Sequence, residues 1–427
     1  RSPERNEHRL HAMMIARAAR AASRAVAAAP ARATARFAST GLDIIDPTVG
    51  LDEEQKTFFD MVKRFADEKL APFAGEWDEK KHFPEDELRE AASLGLAAMN
   101  VSPDMGGLGM GRSTSSVLYE ALATADVSTT AYLSIHNMCA WLVDEFGSDE
   151  LRSEIVPSLA TMERFSSYCL TEPNAGSDAG SLQTRARKDG DDYILSGSKM
   201  FISGGGRSDV YVIMARTGGD GPGGISCFVV DSDSKGLSWG ANERKLGWNS
   251  QPTAAISFDD VRVPKSRLVG AEGDGFRFAM KALDSGRLSI ASCSVGGAHR
   301  CLTEARDYVR GRKQFGKPLS EQQTIQFKLA DMAIRLHTSR TMVRSAAAML
   351  DAKDSNARAH AAMAKVVATD NAFSICNDAL QLHGGYGYLR DYPIERFLRD
   401  VRVHQILEGT NEVMRMIVSR QLLAFDA

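Results

Sequence analysis

The sequence predicts an α+β chain of several domains, in which a helical block is followed by a β block and then by a second helical block. Three observations predict it. Apolar residues recur at helical spacing from position 51 to about 160, short β-branched and aromatic runs bounded by Gly, Asp and Ser fill 166–258, and long helical periods return after Gly275. An α, β, α order implies separately packed units rather than one alternating βα sheet. The expected units are an N-terminal α-helical domain at 45–165, a middle antiparallel β-barrel or sandwich at 166–276 and a C-terminal four-helix-type bundle at 277–427.

Residues 1–40 differ in kind from the rest. Between His8 and Leu42 there is no Asp or Glu, while Arg9, Arg17, Arg20, Arg24, Arg32 and Arg36 punctuate an Ala- and Ser-rich background. That composition is the signature of a mitochondrial transit peptide, so the expected location is the mitochondrial matrix. The whole chain carries 52 Lys and Arg against 55 Asp and Glu, a formal net charge of -3. Without the basic leader the balance is more acidic still, which argues against nucleic acid as a partner. No apolar run reaches the roughly eighteen residues that a membrane span needs. Cys139, Cys169, Cys227, Cys293, Cys301 and Cys376 stand in no metal or redox spacing, so neither a metal site nor a disulfide is expected.

In the first block, Phe58, Phe59, Val62, Phe65, Ala66 and Leu70 mark a helix over 51–70, and Asp52 with Gln55 matches a capping box. Further helices are expected at 85–94, 113–125, 130–146 and 150–160. The glycines of 105–111 follow no strand, so they do not form a dinucleotide fingerprint. Strands are expected at 192–196, 210–215, 225–230 and 254–258, closed by turn chemistry such as Asp189-Gly190, Gly218-Gly219 and Gly221-Pro222. The third block reads as helices at 276–285, 288–310, 321–350, 357–382 and 412–423.

One carboxylate near the C-terminus draws attention. In 404–415, H-Q-I-L-E-G-T-N-E-V-M-R, two apolar residues lead into Glu408, Gly409 breaks the pattern, and Thr410 and Asn411 can each cap the helix carrying Val413, Met416 and Ile417. Glu408 is therefore expected on a loop at a helix mouth, where partial desolvation would raise its pKa and make it a usable base. Most glutamates are solvated surface acids, so position alone does not decide.

Four other stretches carry chemistry of their own. In Tyr168-Cys169-Leu170-Thr171-Glu172-Pro173, running on to Gly176-Ser177-Asp178, the small residues let backbone amides approach a ligand closely, or form an ordinary turn. In Lys199-Met200-Phe201-Ile202-Ser203, an aromatic face and a hydroxyl would suit a planar ring, or a strand end. In Arg312-Lys313-Gln314-Phe315-Gly316 the guanidinium could clamp a pyrophosphate, or face solvent. In His383-Gly384-Gly385-Tyr386-Gly387 the glycines could end a helix.

Together with the loop around Glu408, these motifs stand in the order and at the spacing of the acyl-CoA dehydrogenases. The chain resembles that family over nearly all of its length beyond the leader. Its members are FAD enzymes that desaturate a CoA thioester between the α and β carbons, and the resemblance implies that Glu408 is the base. It implies FAD contacts from Tyr168, Leu170, Thr171, Gly176, Ser177, Phe201, Ile202, Ser203, Thr410, Asn411 and Glu412. A neighbouring subunit would add Arg312, Gln314, Phe315, Gln322, Gln323, Gln381, Leu382, His383, Gly384 and Gly385, hence a homo-oligomer, a tetramer in the family. Acyl-CoA contacts are implied for Ser177, Asp284, Ser285, Gly286, Arg287, Gly409 and Arg420, no metal is implied, and electron-transfer flavoprotein is the implied electron acceptor.

Some members carry the base on another helix, at the position of Gly286. A glycine cannot take a proton, which leaves the role to Glu408 and sets aside isovaleryl-type and long-chain-type chemistry. Asp284 is two residues away and points elsewhere on the 100° helical step. The loop 246–253 and the segments 384–389 and 403–407 resemble members acting on short branched-chain acyl-CoA thioesters, with isobutyryl-CoA the expected substrate and methacrylyl-CoA, of valine catabolism, the product. Asn174 replaces a Gly usual in the family, which affects one turn. Alternatives inside the class are 2-methylbutyryl-CoA or butyryl-CoA as substrate, or an oxidase reducing oxygen. Outside it stands a catalytically silent flavin- or CoA-binding assembly protein.

Overall fold

The computed structural model describes residues 44–423, and the expected transit peptide lies outside them. The first block consists of α1 (Glu53–Phe65), α2 (Ala74–Lys80), α3 (Glu85–Ser93), α4 (Arg112–Ala123), α5 (Val127–Phe146) and α6 (Asp149–Ala160). The capping box before α1 is present: Asp52 Oδ1 accepts from the Gln55 N–H at 2.8 Å, and Gln55 Oε1 accepts from the Asp52 N–H at 3.3 Å. Asp126 and Ser148 cap α5 and α6 in the same way, through the N–H groups of Thr129 and Leu151. Periodicity did not announce α2, which has seven residues and too few apolar positions to set a period.

The β block contains β1 (Ser166–Cys169), β2 (Arg185–Asp189), β3 (Asp192–Ser203), β4 (Val210–Arg216), β5 (Ile225–Asp231), β6 (Leu237–Trp239), β7 (Thr253–Val263) and β8 (Leu268–Val269). Two leaves share one edge of β4. β1 pairs along Val210 to Ile213, whereas β2 meets β4 only at Arg185 and Arg216 and carries β3, β7 and β6 behind it. The expected antiparallel pairing holds for β2–β3, β3–β7, β6–β7, β4–β5 and β5–β8, but β1 and β2 both run parallel to β4. Inward side chains of both leaves, among them Leu195, Tyr211, Phe228, Ile256 and Val261, form one core. The outer faces of β4 and β5 pack against α5 and α6 through Val212, Met214, Val229, Leu142, Ile155 and Leu159. Burial on both faces explains why these two strands are continuous apolar runs rather than alternating ones.

The third block opens with α7 (Gly275–Gly311), one helix of 37 residues where two were expected. Gly286 sits inside it without breaking it, since a single helical glycine costs only about 1 kcal/mol. A short hairpin at 313–318 leads to α8 (Gln323–Asp351), α9 (Ala357–His383), α10 (Ile394–Arg402) and α11 (Asn411–Leu422). The charge-rich α10 was not expected either. Helices of the first and third blocks share one apolar core: Val62, Phe65, Leu118 and Leu122 pack in the same cluster as Val295, Leu302, Leu336 and Ile375. A buried ion pair, Arg340 Nε to Glu120 Oε1 at 2.7 Å, joins α8 to α4 inside it. Among the described residues no helix is long and apolar enough to cross a membrane.

Candidate active site

The site is built around a tight reversal between α10 and α11. A short 3-10 turn, Val403–Gln405, ends α10, and the chain then turns at Glu408 (φ 55°) and Gly409 (φ 90°), two consecutive left-handed residues. Glycine adopts that region freely, but a glutamate there is held against a local preference. Side chains from two other helices hold it. Lys365 Nζ, from α9, donates to Gly409 O and to Asn411 Oδ1, each at 2.8 Å. Arg287 Nε, from α7, donates to Glu408 O at 3.3 Å. Asn411 Nδ2 donates to Asp370 Oδ1 at 2.7 Å and to Thr369 Oγ1 at 3.0 Å, and Thr410 Oγ1 caps α11 by accepting from the Val413 N–H.

The Glu408 carboxyl is desolvated. Its Oε2 has neither solvent exposure nor a hydrogen-bond partner, and burial lifts its pKa to about 7 against the opposing pull of Arg287 and Lys365. That is the perturbation the loop position predicted. The Glu408 N–H has no acceptor among the described residues. Gly286 lies directly against the carboxyl group, and Arg287 is engaged by Asp284 in an ion pair on the same helix. Asp284 is thus oriented to Arg287 rather than to Glu408. Tyr168 approaches from β1 with its hydroxyl likewise buried and unpartnered, and burial holds its pKa well above the usual phenol value.

Behind the base loop, Trp248, Ala131 and Ile290 form a small apolar cluster against which Val403 and Leu407 pack. The indole of Trp248 meets the ring of His404 edge-on at 5.5 Å, and its backbone N–H donates to Asp400 Oδ1 at 2.6 Å. The loop 246–253 is thereby fastened to α10. Asp78 on α2 reinforces the join by binding Arg399 at 2.6 Å and Asn249 at 2.9 Å. Burial, with the negative charge of Asp126, raises the Asp400 carboxyl to about 8.

A second buried contact positions the segment from Leu170 to Thr171 against β3. Lys199 Nζ donates to Glu172 Oε1 at 2.8 Å and to Leu170 O at 3.0 Å, while Glu172 also accepts from the N–H groups of Gln183 and Thr184. Met200 N–H donates to Thr171 O at 2.8 Å. Beyond this anchor Ile202 is buried, but Phe201 is 60% exposed at φ 59°. An outward aromatic ring, a half-buried Ser203 and the unpartnered Tyr168 hydroxyl fit a flavin laid on this strand.

The remaining sequence-predicted residues fall into two groups. Ser177 lines an open pocket of about 540 Å³ with Asp178, Gly180, Phe276 and Met280, and Gly176 is exposed beside it. Arg312, Gln314, Gln381, Leu382, His383, Gly384 and Gly385 line another of about 560 Å³ on the far end of α9. Phe315 is 92% exposed next to it, Gln323 is exposed and Gln322 is half-buried. Leu382 and His383 are buried, and the others form a partly exposed patch around them. Ser285 is buried beside Gly286, and Glu412 is exposed on the first turn of α11. Arg420 is not brought to Glu408; it is exposed on the last turn of α11, roughly 16 Å along the helix axis from Gly409 by helical rise. A further cavity, about 730 Å³ between α2 and the loop 242–253, touches none of the predicted residues.

Sequence reasoning quoted Glu172 and Lys199 within motifs but gave them no role, and it missed Lys365 and Asp400. Lys365 did leave a signal, as the lone cation in the apolar run A-A-M-A-K-V-V-A-T of 361–369.

Comparison with known proteins agrees with this geometry. Models of the acyl-CoA dehydrogenase N-terminal, middle and C-terminal domains match residues 52–163, 167–261 and 273–423. Over 382 residues the chain is 58% identical to a mitochondrial isobutyryl-CoA dehydrogenase of Dictyostelium discoideum, covering 89% of this chain and 92% of that protein. The corresponding protein of Bos taurus is 56% identical over 379 residues, covering 89% and 91%. Among solved structures, butyryl-CoA dehydrogenase from Megasphaera elsdenii superposes with a TM-score of 0.85 at 36% identity, covering 87% of this chain and 99% of that one.

Proposed function

The chain belongs to the acyl-CoA dehydrogenase family, and from that premise we propose that it desaturates isobutyryl-CoA to methacrylyl-CoA in the mitochondrial matrix. Electrons then pass to electron-transfer flavoprotein. The units 45–165, 166–276 and 277–427 act as its N-terminal, middle and C-terminal domains, and a homotetramer completes each site. The likeness to two mitochondrial isobutyryl-CoA dehydrogenases supports the substrate and the location.

Glu408 is the base in this reading. Its carboxylate takes the α proton and becomes a carboxylic acid, while the β C–H bond breaks with its electron pair and the α,β double bond forms. FAD, the family's cofactor, supplies the acceptor for that hydride when bound. The negative charge developing on the thioester oxygen needs a donor, and the free N–H of Glu408 is one; such a donor is worth about 3 to 4 kcal/mol. Tyr168, Leu170, Thr171, Phe201, Ile202 and Ser203 support the flavin from β1 and β3. Thr410, Asn411 and Glu412 meet it at the start of α11, and the surface from Arg312 to Phe315 with Gln381 to Gly385 serves a neighbouring subunit's FAD. Ser177, Arg287 and Gly409 hold the acyl-CoA, and the apolar cluster of Trp248, Ala131 and Ile290 backs Leu407 of the base loop.

The observation that carries this reading is the buried, unpartnered carboxyl oxygen of Glu408, poised near neutrality and next to an unused N–H. It is tested by anaerobic mixing of the purified flavoprotein with isobutyryl-, 2-methylbutyryl-, butyryl- and isovaleryl-CoA. Isobutyryl-CoA is expected to bleach the flavin with the highest kcat/KM. One methylene changes preference by about 1 to 3 kcal/mol, so the 2-methylbutyryl ester is its nearest rival. Preference for isovaleryl-CoA would overturn the inference drawn from Gly286.

A further inference from the structure

We infer that Lys365 is a positioning residue for proton abstraction, clamping the left-handed turn that aims the Glu408 carboxylate. The inference rests on Glu408 being the base. Lys365 is fully buried in the apolar run of α9, and its ammonium makes no ion pair within 4.0 Å among the described residues. Two of its N–H groups go to Gly409 O and Asn411 Oδ1, on either side of the point where α11 begins. Burying an ammonium costs several kcal/mol, whereas a neutral amide could make the same two bonds at less expense. Burial pulls the pKa of the Lys365 ammonium down to about 8, and the carboxylate of Glu408 is the foremost of the charges that favour its ionised form.

The other constraint on the turn is weaker. Arg287 reaches Glu408 O only at 3.3 Å and is already committed to Asp284, with Arg358 beyond that carboxylate. Without Lys365, the carbonyl of Gly409 loses its donor and Asn411 Oδ1 keeps only the longer bond from Thr369 Oγ1 at 3.3 Å, so α9 holds the turn only through Thr369 and Asp370, which bind Asn411 and Gln405 on either side of Glu408. The charged and titratable groups around the pair are Arg287 and Asp284 from α7, Asp370 from α9, Glu412 from α11, His404 from the 3-10 turn, and Tyr168 and Cys139 on the opposite side of Glu408. Of these, Arg287 and Lys365 are the cations that favour the ionised base. Lys365 thus acts twice on one group, through geometry and through charge.

The test compares the wild-type holoenzyme with Lys365→Met. Flavin content and Tm are measured first. The Glu408 carboxyl is then titrated by infrared difference spectroscopy without substrate, its band identified by loss in Glu408→Gln, and flavin bleaching by isobutyryl-CoA is followed against pH. The expected result is a yellow variant whose carboxyl titration and whose acid limb of kcat both move to higher pH. At neutral pH kcat falls by about tenfold or more while KM changes much less. Unmoved titration and limb in a variant beside an active wild type would overturn the inference. If Lys365→Met does not retain flavin, Lys365→Gln, which keeps donors but no charge, is measured in the same way and must show the same shift. A wild type that no acyl-CoA bleaches defeats the underlying reading of Glu408 instead.

Discussion

Gly286 of α7 and Glu408 of the base loop compete for one space. A Cβ built on Gly286 would lie within 2.9 Å of the Glu408 carboxyl carbon, closer than real side chains approach. In the sequence, Gly286 reads as the vacant alternative position for a base. The structure makes the vacancy itself functional, because the missing side chain is the room in which the carboxyl group sits.

Gly286→Ala is therefore expected to displace the base without unfolding the helix. Alanine gains up to about 1 kcal/mol in helix propensity, which partly offsets the clash. A base misplaced by about 1 Å costs on the order of 10²-fold in rate. Stopped-flow flavin reduction should show that loss while Tm stays within a few degrees of wild type, and an unchanged rate would contradict the juxtaposition.

The pH dependence follows from Glu408 itself. Burial raises its pKa to about 7, and in the proposed role it is the ionised form that takes the proton, so the reductive step should rise as pH passes through about 7 from below. Glu408→Gln should keep the protein yellow and lower the rate by about 10² to 10⁴. Stability carries the opposite sign. An acid whose folded pKa is raised is destabilising above its ordinary pKa, so the Gln variant should melt higher than wild type at pH 8, and the difference should vanish toward pH 4.

Lys199→Met should be severe for a different reason. It strands the buried carboxylate of Glu172, and removing one partner of such a pair costs about 3 to 5 kcal/mol. Chemical denaturation should show that loss, with weaker flavin retention because β3 loses its side-chain tie to Leu170 and Glu172. Combining it with Glu172→Gln should recover part of the stability.

Asp400 supplies a second pH-dependent element. Burial and Asp126 raise it to about 8, so it is neutral at pH 7; the unfolded chain is already ionised there, so stability declines as pH rises toward 8, although the ionised carboxylate accepts from the Trp248 N–H more strongly than the neutral one. Asp400→Asn keeps the shape and removes the titration. Its Tm should fall less than that of wild type between pH 6 and 9, and equal slopes would show that Asp400 does not titrate there.

Much of this was legible in the sequence wherever a signal is local. The amphipathic periods of α1, α4, α5, α8 and α9 placed those helices to within a few residues, and the cap before α1 was read down to its two side chains. The Gly after Glu408 and the caps behind it placed Glu408 on its loop at a helix mouth. What stayed hidden lies in pairs brought together only by folding. Trp248 and Asp400 are 152 residues apart, and Lys365 and Gly409 are 44 apart. Short polar elements such as α2 and α10 carry no period, and the single helix α7 was divided at Gly286 because a glycine looks like a break until its neighbour is known.

The shared core of the first and third helical blocks has a consequence for how the chain is made. Arg340 closes on Glu120 across 220 residues. At a synthesis rate of about 5 to 20 residues per second, α4 emerges on the order of 10 to 40 s before the helix that covers it. Its apolar face has no native partner for that interval, and a transcript ending before α8 never supplies one. Premature stops late in the reading frame should therefore yield polypeptides that are retained by chaperones and degraded, not stable fragments of the first block.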